Sequence, residues 1–252
     1  GGSGNDRITS GDGADTINAG DGRDDVRSGG GNDVIRTGNA FPPKEKRARL
    51  RRAKDRADAG QGDDVIIGGN GWDNLIAGWG NDRVFGGPGN DRIIGGPFRC
   101  GEPLPAKDRL FGQGGNDNID GCNGDDRIDG GAGNDGLDGN AGGDNITGGP
   151  GNDRITGDRD GNITGAGRDV MSGNGGNDTI RARYFADASL GGPGNDVLIF
   201  NGANVSLPAF PIDHPIRGKN TIAGWPGTKD RCQGSKSLIM VISGCEVCTT
   251  SK

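Results

Sequence analysis

Carboxylates recur along this chain at a fixed interval. Nineteen aspartates fall in four phased blocks at a spacing of nine residues: Asp6, Asp15, Asp24, Asp33; then Asp55, Asp64, Asp73, Asp82, Asp91; then Asp108, Asp117, Asp126, Asp135, Asp144, Asp153; then Asp169, Asp178, Asp187, Asp196. Carboxylates are hard oxygen donors, and flexible turns carrying them suit a cation that takes roughly six or more oxygens, Ca²⁺ rather than the smaller, reluctantly dehydrating Mg²⁺. A nitrogen or sulfur set for zinc or copper is missing from the register. The one histidine is His214, and the cysteines, Cys100, Cys122, Cys232, Cys245 and Cys248, stand outside the nine-residue phase. Acid–base or nucleophilic catalysis needs a cluster of groups, whereas His214 stands alone near prolines and Tyr184 is the one tyrosine. The expectation is a protein that binds metal and is not an enzyme.

The elements that must hold these carboxylates follow the same clock. Two residues past the aspartates lie seventeen aliphatic side chains, among them Ile8, Val26, Leu75, Ile93, Leu110, Ile146, Met171 and Leu198; only Ala57 and Ser189 break the series. Two residues before, sixteen units carry Gly, as in Gly4, Gly62, Gly133 and Gly194. With 55 Gly and only 29% hydrophobic residues, the composition by itself resembles a disordered linker. A strict phase argues against that reading, because random low-complexity sequence has no reason to place one aliphatic residue in every nine. Each unit therefore reads as a glycine turn, an aspartate and a three-residue strand with one inward side chain. Stacked units bury what a single unit cannot. Two units make one coil of eighteen residues, so the fold class is all-β: a right-handed parallel β-roll solenoid with two narrow sheets and two turn edges.

Stacking has an electrostatic cost. Like charges about 5 Å apart repel by roughly 3 kcal/mol at an effective dielectric near 20, which cancels the roughly 1.5–3 kcal/mol from burying one Ile or Val. A cation between the turns is needed, and folding is expected to be coupled to binding several Ca²⁺ ions.

Two stretches carry a resemblance. Gly1-Gly2-Ser3-Gly4-Asn5-Asp6-Arg7-Ile8-Thr9 and Gly148-Gly149-Pro150-Gly151-Asn152-Asp153-Arg154-Ile155-Thr156 resemble the nonapeptide of RTX, or haemolysin-type, calcium-binding repeats. The resemblance spans most of residues 1–200. It implies calcium held by the unit aspartates and glycine-turn carbonyls of rungs one coil apart, in a secreted, extracellular protein. The implied metal ligands are Asp6, Asp15, Asp24, Asp33, Asp64, Asp73, Asp82, Asp91, Asp117, Asp126, Asp135, Asp144, Asp153, Asp169, Asp178 and Asp196. Asp55 and Asp108 are set apart because their turns lack the preceding Gly.

Three interruptions break the phase. Asp33 to Asp55, Asp91 to Asp108 and Asp153 to Asp169 are 22, 17 and 16 residues apart; subtracting one nine-residue repeat leaves insertions of 13, 8 and 7, near 39–54, 97–106 and 157–165. The first holds the basic run Lys44, Lys46, Arg47, Arg49, Arg51, Arg52 and Lys54. It reads either as a site for a polyanion or as a solvated helix lying on the acidic turn edge. No aromatic residue interleaves the run, so single-stranded nucleic acid is not the expected partner. Outward strand positions are apolar at Ile67, Ile76, Phe85, Ile94 and Phe111. Such a ladder marks a face covered by the insertions or by another protein.

Residues 1–202 are thus read as the roll, and 203–252 as a cysteine-containing C-terminal cap lying against Val197 and Ile199. In the cap, Leu238–Ile242 reads as one strand, far too short to span a bilayer. Repeat modules of the resembled family usually lack cysteine. Five here imply folding outside the cell with disulfides, expected as Cys100–Cys122 and Cys232–Cys245 with Cys248 left over. Two roles remain: a calcium-dependent extracellular folding or structural module, and a self-assembling filament or adhesin subunit stacking head to tail through its first rung. Bound Ca²⁺ would turn the formal charge of −6 positive and offer Arg7, Arg83, Arg92, Arg127 and Arg154 to an anionic polysaccharide or cell-surface polymer.

Overall fold

The structure is a computed structural model that describes residues 1–21, 23–37, 54–97, 100, 106–158, 167–182 and 187–200, with the backbone of two further strands, Asn220–Gly224 and Leu238–Met240. Because each unit has one inward aliphatic residue, the chain must wind and stack to bury it, and it does so in two sheets. From Arg7–Asp12 to Val197–Phe200 the strands alternate between a twelve-stranded and a nine-stranded sheet, apart from the short pairing of Gly2–Ser3 with Gly20–Asp21, and every described pairing is parallel. Partners in a ladder are eighteen residues apart, as in Arg109↔Arg127, Leu110↔Ile128 and Asn118↔Gly136. Among the described residues there is no helix, and no element is long and apolar enough to cross a membrane as one.

The core is one cluster built of two ladders, one from each sheet, of the side chains two past each aspartate, with Ala19, Ala59, Ala77 and Ala182 packed among them. Val26, Ile35, Ile66, Leu75, Val84, Ile93, Leu110, Ile146, Ile155, Met171 and Ile180 have no exposed surface. Their flanking residues face outward, as the two-residue alternation of a strand requires. The two exceptions keep the phase. Ala57 is buried between Val26 and Leu75, and Ser189 points inward with its hydroxyl lacking a partner.

Insertion arithmetic survives in the register. Asp25↔Arg56, Arg83↔Arg109 and Asn145↔Val170 pair across 31, 26 and 25 residues, which is one coil plus the 13, 8 and 7 inserted ones. The coil therefore resumes in phase after each interruption. Most residues of the insertions, including the basic run from Lys44 to Arg52, lie outside the described residues, as does the expected pair Cys232–Cys245.

The strands are not uniformly three residues long, as the unit reading had them. Arg7–Asp12, Asp25–Gly30, Arg56–Gln61 and Asn74–Trp79 of the twelve-stranded sheet, and Arg83–Pro88, Arg109–Gly114, Arg127–Ala132, Asn145–Pro150 and Val170–Gly175 of the nine-stranded sheet, have six. The extra three residues are the start of the following turn, where backbone pairing continues between coils, as in Gly87↔Gln113. Each insertion instead follows a three-residue strand: Val34–Arg36, Arg92–Ile94 or Arg154–Thr156. A turn whose backbone is not engaged in a ladder opens without breaking one.

The outward apolar positions divide into two groups. Ile76 and Ile94, on the twelve-stranded sheet, are buried with the disulfide Cys100–Cys122, whose Cα atoms are 4.9 Å apart. Here the second interruption covers its own sheet face. On the nine-stranded sheet, Ile67, Phe85 and Phe111 stay half-exposed, the two phenyl rings stacked at 5.1 Å between centroids.

Candidate metal centre

The aspartates form two continuous lines, one along each turn edge. Each aspartate N–H donates to Oδ1 of the aspartate one coil further on, at 2.6–3.1 Å. One line runs Asp6, Asp24, Asp55, Asp73, Asp91, Asp117, Asp135, Asp153, Asp178, Asp196. The other runs Asp15, Asp33, Asp64, Asp82, Asp108, Asp126, Asp144, Asp169, Asp187. All sixteen sequence-predicted ligands stand in these lines. So do Asp55 and Asp108, which make the same bond despite their glycine-poor turns.

One carboxylate oxygen is thereby used and the other is not. Oδ2 of Asp73, Asp91, Asp117 and Asp135 on one edge, and of Asp64, Asp82, Asp126 and Asp144 on the other, is buried without any hydrogen-bond partner. A partnerless buried charge is among the costliest features a fold can carry. The consequence is a raised proton affinity. Burial, the largest cause, pushes Asp126 and Asp169 up to about 9, Asp73 and Asp82 to about 8, and Asp91 and Asp144 to about 7; the backbone donor opposes it, and neighbouring carboxylates reinforce it.

Glycine makes room where the free oxygens point. A Cβ on Gly86 would stand 2.6 Å from Asp91 Oδ2 and 2.9 Å from the carbonyl oxygen of Gly112, one coil on. On Gly121 it would meet Asp126 Oδ2 at 2.6 Å and the Gly139 carbonyl at 2.9 Å. Carboxylate and turn carbonyl thus converge on a face kept bare of side chain. Gly115 and Gly133, with φ of 125° and 141°, let the turns stack closely enough that any Cβ there would run into the carbonyl of the turn before. The donor set is all hard oxygen with an excess of negative charge, and it fits Ca²⁺.

Sequence reasoning missed a second line outside the first. The residue just before each aspartate is often Asn, and its Oδ1 accepts the N–H of its counterpart one coil on. Asn90 accepts from Asn116, Asn116 from Asn134, Asn134 from Asn152 and Asn152 from Asn177, at 2.7–2.9 Å. Asn5, Asn32, Asp63, Asn81 and Asp125 do the same at 2.7–3.1 Å. This outer line is exposed and runs in the opposite hydrogen-bond direction. Its signal was present in the recurring triplet Gly-Asn-Asp, as at Gly89-Asn90-Asp91 and Gly176-Asn177-Asp178.

A sequence-family model for the RTX calcium-binding nonapeptide repeat matches residues 1–35, 53–84, 76–97, 105–137, 138–163 and 163–187, and the chain belongs to that family. Such repeats bind Ca²⁺, so the two aspartate lines are those of a calcium-binding β-roll. No curated protein matches the chain.

Proposed function

We propose that Ca²⁺ between successive turns, held by the sixteen predicted aspartates together with Asp55 and Asp108, is a structural half of this protein's core, and that the roll serves as an extracellular folding and structural module with no catalysis of its own. The observation that carries this reading is the buried, partnerless Oδ2 repeated turn after turn. Hydrogen bonding of Oδ1 accounts for one oxygen only. The Cys100–Cys122 bridge supports an extracellular setting for this reading, since disulfides persist in oxidising compartments. Far-UV circular dichroism during a Ca²⁺ titration, with Mg²⁺ as control, tests it. A β signal that rises with Ca²⁺ and not with Mg²⁺ is expected, and a spectrum indifferent to both rejects the reading.

A second reading is head-to-tail assembly into filaments, since coils that pair in one repeating parallel register offer the same ladder to a coil of another copy. Filaments in Ca²⁺ that disperse in chelator, seen by negative-stain microscopy, would favour it over short rods. For an anionic polymer, the better-placed cations are Arg83, Arg109 and Arg127, exposed and in register on adjacent strands. Arg7 and Arg56, by contrast, have aspartate partners at 3.8 Å.

A further inference from the structure

The turn after strand Arg154–Thr156 departs from the repeat at its second position. Where other turns follow their first Gly with a second Gly, or with a residue in the left-handed region such as Asn140 (φ 67°) or Asn174 (φ 67°), this one has Asp158. Asp158 lies outside the nine-residue phase and is none of the unit aspartates. It is nevertheless 1% exposed, and its Oδ2 has no hydrogen-bond partner. The equivalent place one coil earlier holds Asn140, whose Nδ2 donates to Asp120 Oδ1 at 2.6 Å. Two coils earlier it holds Cys122, bonded to Cys100. In those coils the side chain at this place is satisfied by an amide hydrogen bond or a crosslink.

At Asp158 it meets more carboxylates. One oxygen each from Asp158, Asp169 and Asp187 lies within 4.8 Å of the other two, and all three residues are buried, at 1%, 0% and 1% exposure. The neighbours that act on Asp158 electrostatically are Asp187 and Asp138, both acidic. A Cβ on Gly157 would run into Asp169 Oδ2, so the glycine before Asp158 keeps the space beside this oxygen open. Elsewhere along the edges, the aspartates stack in single file. Here a third carboxylate enters from the side, from the turn place that Asn140 and Cys122 fill in the two preceding coils.

We infer that Asp158, Asp169 and Asp187 form a three-carboxylate cation site, separate in composition from the repeat sites and built for Ca²⁺. Three oxygens of negative charge around a divalent ion make it the tightest of the sites, because ligand charge count sets affinity among such centres. Mg²⁺ is disfavoured by its reluctance to shed water. The inference rests on the calcium reading of the aspartate lines.

Native mass spectrometry of the full chain during a Ca²⁺ titration tests it, comparing wild type with D158N and with D129N, a half-buried aspartate on strand Arg127–Ala132 that belongs to neither line. D158N should carry one ion fewer at saturation, with the missing ion among the first to load, while D129N should load like wild type. Equal ion counts in the same order for D158N and wild type would overturn the site while leaving the repeat sites intact; a wild type that takes up no ions would instead sink the calcium reading itself. Should D158N not fold, the Eu³⁺ excitation spectrum of the wild-type chain decides, since band position reports ligand charge. A distinct band for a site of higher ligand charge is expected, and one band for all sites overturns the inference.

Discussion

The inner and outer lines of the turn edge sit one residue apart in sequence and perform the same backbone service by different chemistry. Asn90 Oδ1 accepts the N–H of Asn116 at 2.9 Å, and Asp91 Oδ1 accepts the N–H of Asp73 at 2.8 Å. The outer acceptor is exposed and neutral, whereas the inner one is 2% exposed and ionisable. If register were all that mattered, an amide would serve better inside, because it accepts the same bond without a buried charge. Yet every inner residue of the nineteen units is Asp, while the outer line admits Asn, Asp, Lys, Arg, Gly, Ala and Trp. What the inner line needs is the second oxygen, and only a cation makes that oxygen useful.

The sharpest break of this comparison is removal of the ion. Exhaustive dialysis against chelator should abolish the β signal in circular dichroism, since it leaves the inner line unneutralised and the outer line unchanged. Retention of the full signal would mean that the carboxylates carry some other compensation.

Protons offer a second, weaker compensation. Among the inner aspartates, burial raises the folded proton affinity from 3.8 to about 6 at Asp64 and Asp117, about 8 at Asp73 and Asp82 and about 9 at Asp126 and Asp169. A raised folded value means that the calcium-free roll gains its proton-linked stability below about 4 and loses it as pH climbs through 6–9. Calcium-free protein should therefore recover β structure on acidification, monitored by a pH series. Calcium affinity should move the opposite way and strengthen with pH, because the ligands must be deprotonated. A calcium-free β signal that grew with pH would contradict the burial on which the comparison depends.

Single substitutions sharpen it further. D91N keeps the acceptor and discards the charge, so its effect should change sign with calcium. Chemical denaturation should find the variant less stable than wild type with Ca²⁺, and more stable without it by up to about 3 kcal/mol, the like-charge cost at about 5 Å. The smallest effect belongs outside: N90A removes one exposed hydrogen bond and should cost about 0.5–1.5 kcal/mol, equally with and without Ca²⁺. Calcium sensitivity in N90A to match D91N would erase the distinction between the lines.

Much of this was legible from spacing alone, because a nine-residue phase leaves little freedom once one aliphatic residue per unit must be buried. The two-sheet coil, the inward file from Val26 to Ile180 and the register steps of 31, 26 and 25 all follow from counting. The bridge Cys100–Cys122 was also anticipated, though by family contrast more than by geometry. Which turn edges continue as ladders was not legible, and neither was the burial of Ile76 and Ile94 beside Phe85 and Phe111 left half-exposed. Those outcomes depend on where an insertion falls back on the roll, and insertion residues obey no period.

The nine-residue repeat by itself determined that carboxylates would stack and that a hard cation would answer them, since both are consequences of identical units lying one above another. Only the folded chain decided what each oxygen does: which one accepts a backbone N–H, which one is left bare beside a glycine, and that Asp158, out of phase in sequence, arrives beside Asp169 and Asp187. Periodicity encodes neighbours one coil apart, but a side chain's burial and partners depend on the close packing of turns in three dimensions.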